Sequence, residues 1–224
     1  MFLEIKVYVT QGNRPIGYDY HRKLHGFISK LLGNETYGSK TNNYIYSNLI
    51  VPEYKKDGIW LVNGKGCFFI RTNNPQVLVN FMENYDTLKE KEMFYGVYLD
   101  GFSFSQIDSI KKTKFKTMAQ SPILINGDKN LLRKDWLDDD DIHKCEKYII
   151  SNIYEKAKSL NVVLDPNLNI KIKNQKKHSD ILYNGVYNKG RVFDLEINCD
   201  DKTKEFILLN GIGRSCGIGF GMIY

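Results

Sequence analysis

Hydrophobic periodicity changes along this chain in a set order, and that order limits the folds open to it. In FLEIKVYV (2–9), Leu3, Ile5, Val7 and Val9 alternate with Glu4 and Lys6, the pattern of a half-buried strand. From Tyr18 the period lengthens. Tyr20, Leu24, Phe27, Ile28 and Leu31 recur at three and four, predicting an amphipathic helix to about Leu32, ahead of Gly33-Asn34. A short strand follows around 44–51, then Trp60-Leu61-Val62 and Cys67–Arg71 as a hairpin joined by Asn63-Gly64-Lys65-Gly66. Pro75 opens a second helix with Val77, Leu78, Phe81, Met82 and Tyr85 on one face, and FYGVYLDGFSF (94–104) returns to strand. The order β-α-β-β-α-β defines an α+β, ferredoxin-like (RRM-like) unit of roughly one hundred residues.

The second half repeats the order in outline. MAQSPILI (118–125) is expected as a strand, and Ile142, Cys145, Ile149, Ile153, Ala157 and Leu160 form a helical stripe. Strands are then expected in NLNIKIKN, in the ILYNGVY region, in RVFDLEI (191–197) and in FILLN, with a short terminal strand from Ile218 to Tyr224. The last helix has little signal, because Asp200–Lys204 leaves space for little more than a turn; the second copy is therefore either complete or degenerate. The lysine-rich stretch 108–115 is the expected linker, which divides the chain into domains 1–110 and 111–224.

NGIGRSCGIGFGMIY (210–224) stands out within the second domain. Gly211, Gly213, Gly217, Gly219 and Gly221 remove side chains where backbone N–H groups would approach an anion, and Arg214 adds a fixed positive charge. The run ends Gly219-Phe220-Gly221-Met222, without the Lys-Ser/Thr of a nucleotide P-loop. The three residues after Gly221 are not the helix and further βαβ unit that a dinucleotide fingerprint needs. A purely structural loop is the other reading.

The 224 residues, 42% of them hydrophobic, suffice for one large domain or two small ones. A formal charge of +6 suits a polyanionic partner without demanding one. Its placement says more: Lys111, Lys112, Lys114 and Lys116 cluster, as do Lys171, Lys173, Lys176 and Lys177, each group either a nucleic-acid contact or a solvated face. Asp138–Asp141 reads as a solvated loop, and no Asp/Glu/His constellation has ligand spacing, so neither metal nor cofactor is expected. Cys67, Cys145, Cys199 and Cys216 are too scattered for a CxxC or zinc motif and read as free thiols. With no leader and no membrane-length apolar run, the expected location is cytoplasmic, away from membranes.

Several segments together resemble one family. GIGRSCGIGFGM is similar to the C-terminal glycine-rich loop of the CRISPR-associated repeat-processing endoribonucleases of the RAMP superfamily, in which two Gly-x-Gly pairs flank a short spacer. Tyr18-Asp19-Tyr20 followed by Leu24-His25-Gly26-Phe27-Ile28 resembles the family's first helix, and Tyr44-Ile45-Tyr46-Ser47 its second strand. Phe115-Lys116-Thr117-Met118-Ala119-Gln120-Ser121-Pro122-Ile123 is similar to the start of its second domain. The resemblance runs in order over residues 1–224. It implies two tandem ferredoxin-like domains that bind the repeat of a CRISPR precursor transcript and cut it once per repeat without metal. In that chemistry the ribose 2′-OH attacks phosphorus and the 5′-oxygen leaves, giving a 2′,3′-cyclic phosphate and a 5′-OH.

The resemblance also marks a departure. The family's usual catalytic histidine lies between the first helix and second strand, where this chain has GNETYGSKTNNY (33–44) with no histidine; the tyrosine often found late in the first helix corresponds to Ser29. His21 is the first substitute and His25, at i+4 on the same helix face, the second, with Tyr37 and Lys40 behind them. His143 and His178 suit catalysis less. Gly211, Gly213, Arg214, Gly219 and Gly221, with Lys114, Lys116, Lys171, Lys173, Lys176 and Lys177, are the expected RNA contacts. The expected partner is CRISPR repeat RNA, with effector-complex subunits a further option, for a monomer or homodimer. A repeat-RNA binder with little or no cleavage, and a structural RNA-binding subunit of an effector complex, are the competing functions.

Overall fold

The computed structural model describes residues 3–33, 44–50, 52–107, 111–124, 142–176 and 179–224. Internal contacts divide the chain into two units: Met1–Ile107 with Ile181–Asn188 and Gly217–Gly219, and Asp108–Asp180 with Lys189–Cys216 and Phe220–Tyr224.

In the first unit β1 (Leu3–Gln11), α1 (Tyr20–Leu31), β2 (Ile45–Tyr46), β3 (Pro52–Lys55), β4 (Gly58–Leu61), β5 (Lys65–Thr72), α2 (Pro75–Leu88) and β6 (Val97–Gln106) follow one another. The main sheet has the order β2-β5-β1-β6, all neighbours antiparallel. The alternation in β1 does what it predicts: Ile5, Val7 and Val9 are buried together with Phe68 and Ile70 of β5. Leu24, Ile28 and Leu31 of α1 and Val77 and Phe81 of α2 join them in one core. Asn74 caps α2 by accepting from the Gln76 N–H at 2.9 Å, with Pro75 at the first helical position.

The hairpin expected between Trp60–Val62 and Cys67–Arg71 does not form. A 3₁₀ turn at Val62–Gly64, with Asn63 at φ +54°, separates the segments, and β4 pairs with β3 instead. The reason is edge availability: β5 gives one edge to β1 and the other to β2, so it has no edge left for β4.

The second unit contains β7 (Lys114–Lys116), α3 (Ile142–Ser159), β8 (Asn169–Gln175), β11 (Phe193–Asn198) and α4 (Asp201–Asn210), with sheet order β7-β11-β8. Between β8 and β11 in sequence comes a separate hairpin of β9 (Ser179–Tyr183) and β10 (Val186–Gly190), whose residues Ile181–Asn188 belong to the first unit; it turns on Asn184-Gly185 with both residues at positive φ. Beside β7, Lys116 and Tyr224 exchange two 2.9 Å backbone bonds and Ile223 bridges Thr117.

Two assignments change here. The strand expected at 118–125 is displaced to 114–116; 119–121 is a turn, and Ile123 and Leu124 make only isolated bridges. Pro122 has no N–H to give a ladder. FILLN is helix, not strand: Asp200 caps α4 by accepting from Thr203 at 2.7 Å, and Gly211 at φ +66° ends it. Thr203, Lys204, Phe206, Ile207 and Leu208 are all buried, so α4 is enclosed around most of its circumference and lacks the one-sided stripe that identifies a surface helix. The second unit therefore has both its helices. Likewise the terminal strand shrinks to the bridge at Ile223, after a 3₁₀ turn at Cys216–Ile218. The whole is an α+β fold of several sheets, consistent with tandem ferredoxin-like domains.

Candidate functional site

One face of α1 carries both histidines, in different surroundings. His21 is 5% exposed, its ring 3.9 Å from that of Tyr20. Burial lowers its pKa from 6.5 to about 4, against the opposing pull of the Tyr18 and Leu182 carbonyls and Asp19. His25, one turn on, is half-buried, and burial lowers its pKa too. Its Nδ1 is 2.8 Å from the hydroxyl of Tyr46, with the rings stacked at 6.0 Å. Burial thus favours the uncharged imidazole at both positions. If His25 Nδ1–H donates to Tyr46, Nε2 is the ring nitrogen that carries the lone pair.

Strand β2 sets the far side of this pair. Tyr46 is fully buried opposite Ile70 of β5, and the next residue, Ser47, locks onto Phe69 by two 2.9 Å bonds. Asn48 then donates from Nδ2 to the Gly219 carbonyl at 3.2 Å. A Cβ on Gly219 would lie 2.8 Å from Asn48 Oδ1 and 3.0 Å from Tyr46 Cε2, and its φ is +92°. This is the close approach that only glycine permits. The first unit thus brings His25, Tyr46, Asn48 and Gly219 together. Tyr46 and Asn48 escaped sequence reasoning, although the Tyr-x-Tyr-Ser segment around them carried part of the resemblance.

Within the second unit the glycine-rich segment is held from below. Lys156 of α3 donates to the carbonyls of Asn210 (3.2 Å) and Gly211 (3.0 Å), and its Nζ lies 2.9 Å from Cys216 Sγ. A cation thus sits on the C-terminal carbonyls of α4, where the helix dipole favours it. Gly211, Gly213 and Gly221 are buried there, as Gly219 is in the first unit, and the N–H groups of Gly211 and Gly221 donate to Ile207 and Pro122. A Cβ on Gly221 would fall on the Ile212 carbonyl oxygen. Arg214 is half-buried and its N–H donates to Leu124 at 3.1 Å, while Ser215 is exposed at φ +60°.

Several lysines of the second unit lie on one sheet face. Lys114 of β7, Glu196 of β11 and Lys171 of β8 form one cross-strand row; Lys116 and Asp194 are paired in the next. Lys173 pairs with Glu196 at 2.5 Å and Lys176 with Asp194 at 3.2 Å. The Lys173 hydrogen bond, then the charges of Lys173, Lys114 and Lys171, hold the Glu196 carboxyl below its usual pKa. Lys114, Phe115, Lys116, Lys173 and Tyr224 help line a groove of about 510 Å³ there. Tyr37, Lys40 and Lys177, with the histidine-free segment, lie outside the described residues apart from its ends Gly33 and Tyr44. Among the described residues no cluster of three or more His, Cys, Asp or Glu side chains is placed to hold a metal ion, and no helix is long and apolar enough to cross a membrane.

Residues 105–224 match the family model described as "CRISPR associated protein Cas6, C-terminal". No curated protein matches the sequence. Among solved structures, the fold is similar to "CRISPR associated protein Cas6" (TM-score 0.74, 18% identity, covering 100% of this chain and 99% of that one). It is also similar to "An RAMP protein binding different RNA substrates" (0.75, 17%, 99% and 98%). A third is the subject of "Characterization of a Cas6-related gene from Pyrococcus furiosus" (0.74, 16%, 100% and 98%). The family match covers more than half of the chain, and the chain therefore belongs to the CRISPR-associated Cas6 family of RNA-binding endoribonucleases.

Proposed function

We propose that this protein is a metal-independent endoribonuclease built of two ferredoxin-like domains, 1–110 and 111–224, that binds CRISPR precursor RNA and cuts within each repeat. His25 takes the proton from the ribose 2′-OH. The 2′-oxygen then bonds to phosphorus and the bond to the 5′-oxygen breaks with its electron pair, leaving a 2′,3′-cyclic phosphate and, after protonation from water, a 5′-OH. Tyr46 is a positioning residue, since it is fully buried and holds the imidazole through Nδ1. The observation that carries this reading is that hydrogen bond on a histidine that is half-buried, whereas His21 is enclosed.

Lys114, Lys116 and Lys171 neutralise RNA phosphates, with Lys173 and Lys176 beside them. In the glycine-rich segment Arg214 and the exposed Ser215 offer contacts, and the glycines act by keeping its backbone in shape. Tyr37 and Lys40 remain further proposals for the catalytic step, and Lys177 for RNA contact.

The test is single-turnover cleavage of the associated repeat RNA by the isolated protein in EDTA, beside a substrate with a 2′-deoxy nucleotide at the cut site. Cleavage of the first to a cyclic phosphate, none of the second, and a loss of about 10²-fold or more in His25→Ala with binding retained are expected. Intact retention of the RNA by the parent protein would favour a binding-only role. A parent-like rate in His25→Ala would move the proton transfer elsewhere, with His21 the first alternative.

A further inference from the structure

On the opposite face of α1 from His21 and His25 lies a second groove, of about 510 Å³ and entirely within the first unit. That volume is in the range of small-ligand pockets and admits on the order of one or two nucleotides. Arg14, Lys23, Lys30 and Lys91 line it; among the described residues the carboxylate in the lining is that of Glu92, which pairs with Arg14. The rim is therefore strongly cationic. Its floor is aromatic, with Phe27 and Phe94 buried beneath and Tyr95 beside them.

Two departures from local preference converge there. Gly26 stands in the middle of α1, where glycine is unfavourable, yet a Cβ at that position would meet nothing within 4 Å. No packing demand explains the missing side chain, and its absence keeps the groove open. Tyr95 sits at φ +49°, a conformation that aromatic residues avoid, in the tight turn where Met93 and Val97 share a 2.8 Å backbone bond. That turn presents the Tyr95 ring to Lys23, whose ammonium is 4.3 Å from the ring centre, and lets the hydroxyl donate to Asp19. Local strain and an unfilled helix position on one surface are features that functional sites accumulate.

We propose that this groove is an accessory site for a single-stranded segment of RNA, separate from the cleavage centre: one unstacked base lies in the space over Gly26 beside Tyr95, and the flanking phosphates meet Lys23, Lys30 and Lys91. Stacking on an aromatic face with neighbouring cations is the usual chemistry of single-strand recognition. The inference rests on the reading of this protein as an RNA binder and adds a second contact region to it.

The experiment compares the full-length protein with Gly26→Leu and with the Lys30→Glu/Lys91→Glu double variant, using fluorescence anisotropy of labelled repeat RNA across a salt series. Gly26→Leu adds bulk without charge, and should weaken binding about tenfold or more while raising Tm through its better helix propensity. The double variant should weaken binding and flatten the salt dependence. Both should cut bound RNA at the parent single-turnover rate once RNA is saturating. Parent-like RNA affinity in both variants overturns the groove and leaves the proposed function standing. Loss of affinity in both variants of a parent that holds RNA but never cuts it supports the groove and sinks the cleavage reading, while a parent that holds no RNA overturns both. A labelled oligoglutamate that binds the parent and neither variant, with RNA affinity unchanged, overturns the assignment in favour of an acidic protein segment.

Discussion

Acidification should destabilise this protein through His21 in a calculable way. The residue is 5% exposed, and its pKa falls from 6.5 in an open chain to about 4 in the fold because burial disfavours the imidazolium. Above pH 6.5 both folded and unfolded chains hold the ring neutral, and His21 adds no pH dependence. Below it the unfolded chain takes up a proton that the folded one refuses until about pH 4, so stability is lost as pH falls through that window. At about 1.4 kcal/mol per pH unit, the loss is roughly 2 kcal/mol at pH 5 and about 3 kcal/mol below pH 4. Carboxylates titrate in the same range, so the measurement is a difference. Urea unfolding of the parent and of His21→Gln, at pH 7.5 and pH 5, should show the parent losing about 2 kcal/mol more than the variant. Glutamine can still donate to the Tyr18 or Leu182 carbonyl and does not titrate. Equal losses in the two proteins, or an NMR titration of His21 with a midpoint near 6.5, would refute the argument. The result bears on function, because a histidine with a pKa near 4 is a feeble base at neutral pH.

The pKa of His25 also lies below 6.5, for the same reason, and as the proton acceptor it must be neutral to act; kcat/KM in EDTA should therefore stay level above pH 6.5 and fall on an acid limb centred below it. An acid limb centred at or above 6.5 contradicts that role. In the glycine-rich segment, Gly221→Ala should cost at least about 2 kcal/mol, since it adds a collision with the Ile212 carbonyl to an unfavourable φ of +70°, whereas Gly185→Ala, at φ +74° with nothing within 4 Å, should cost only about 1 kcal/mol. Paired thermal unfolding checks this, and equal costs would mean that steric contact is not what selects glycine at 221.

The elements that could be read from the sequence were those whose one-sided burial writes a period into the chain. β1, α1, α2 and α3 each bury one face, and Ile5, Val7 and Val9, or Cys145, Ile149, Ile153 and Ala157, are the visible trace. α4 left no such trace because it is enclosed on several sides, and FILLN taken alone is as good a strand as a helix. The partner of β4 was equally hidden, since which strand takes an edge depends on what already occupies it, and residues 65–72 were claimed on both sides by strands distant in sequence. The candidate site divides the same way. The residue types, two histidines four apart and a dense glycine run, were plain in the sequence, but i,i+4 spacing gives both rings one face and says nothing about depth. Tertiary packing alone made His21 a buried ring with a pKa near 4 and set His25 against a tyrosine twenty-one residues away. Burial and hydrogen-bond partners are supplied by segments remote along the chain, and these determine what a side chain can do chemically.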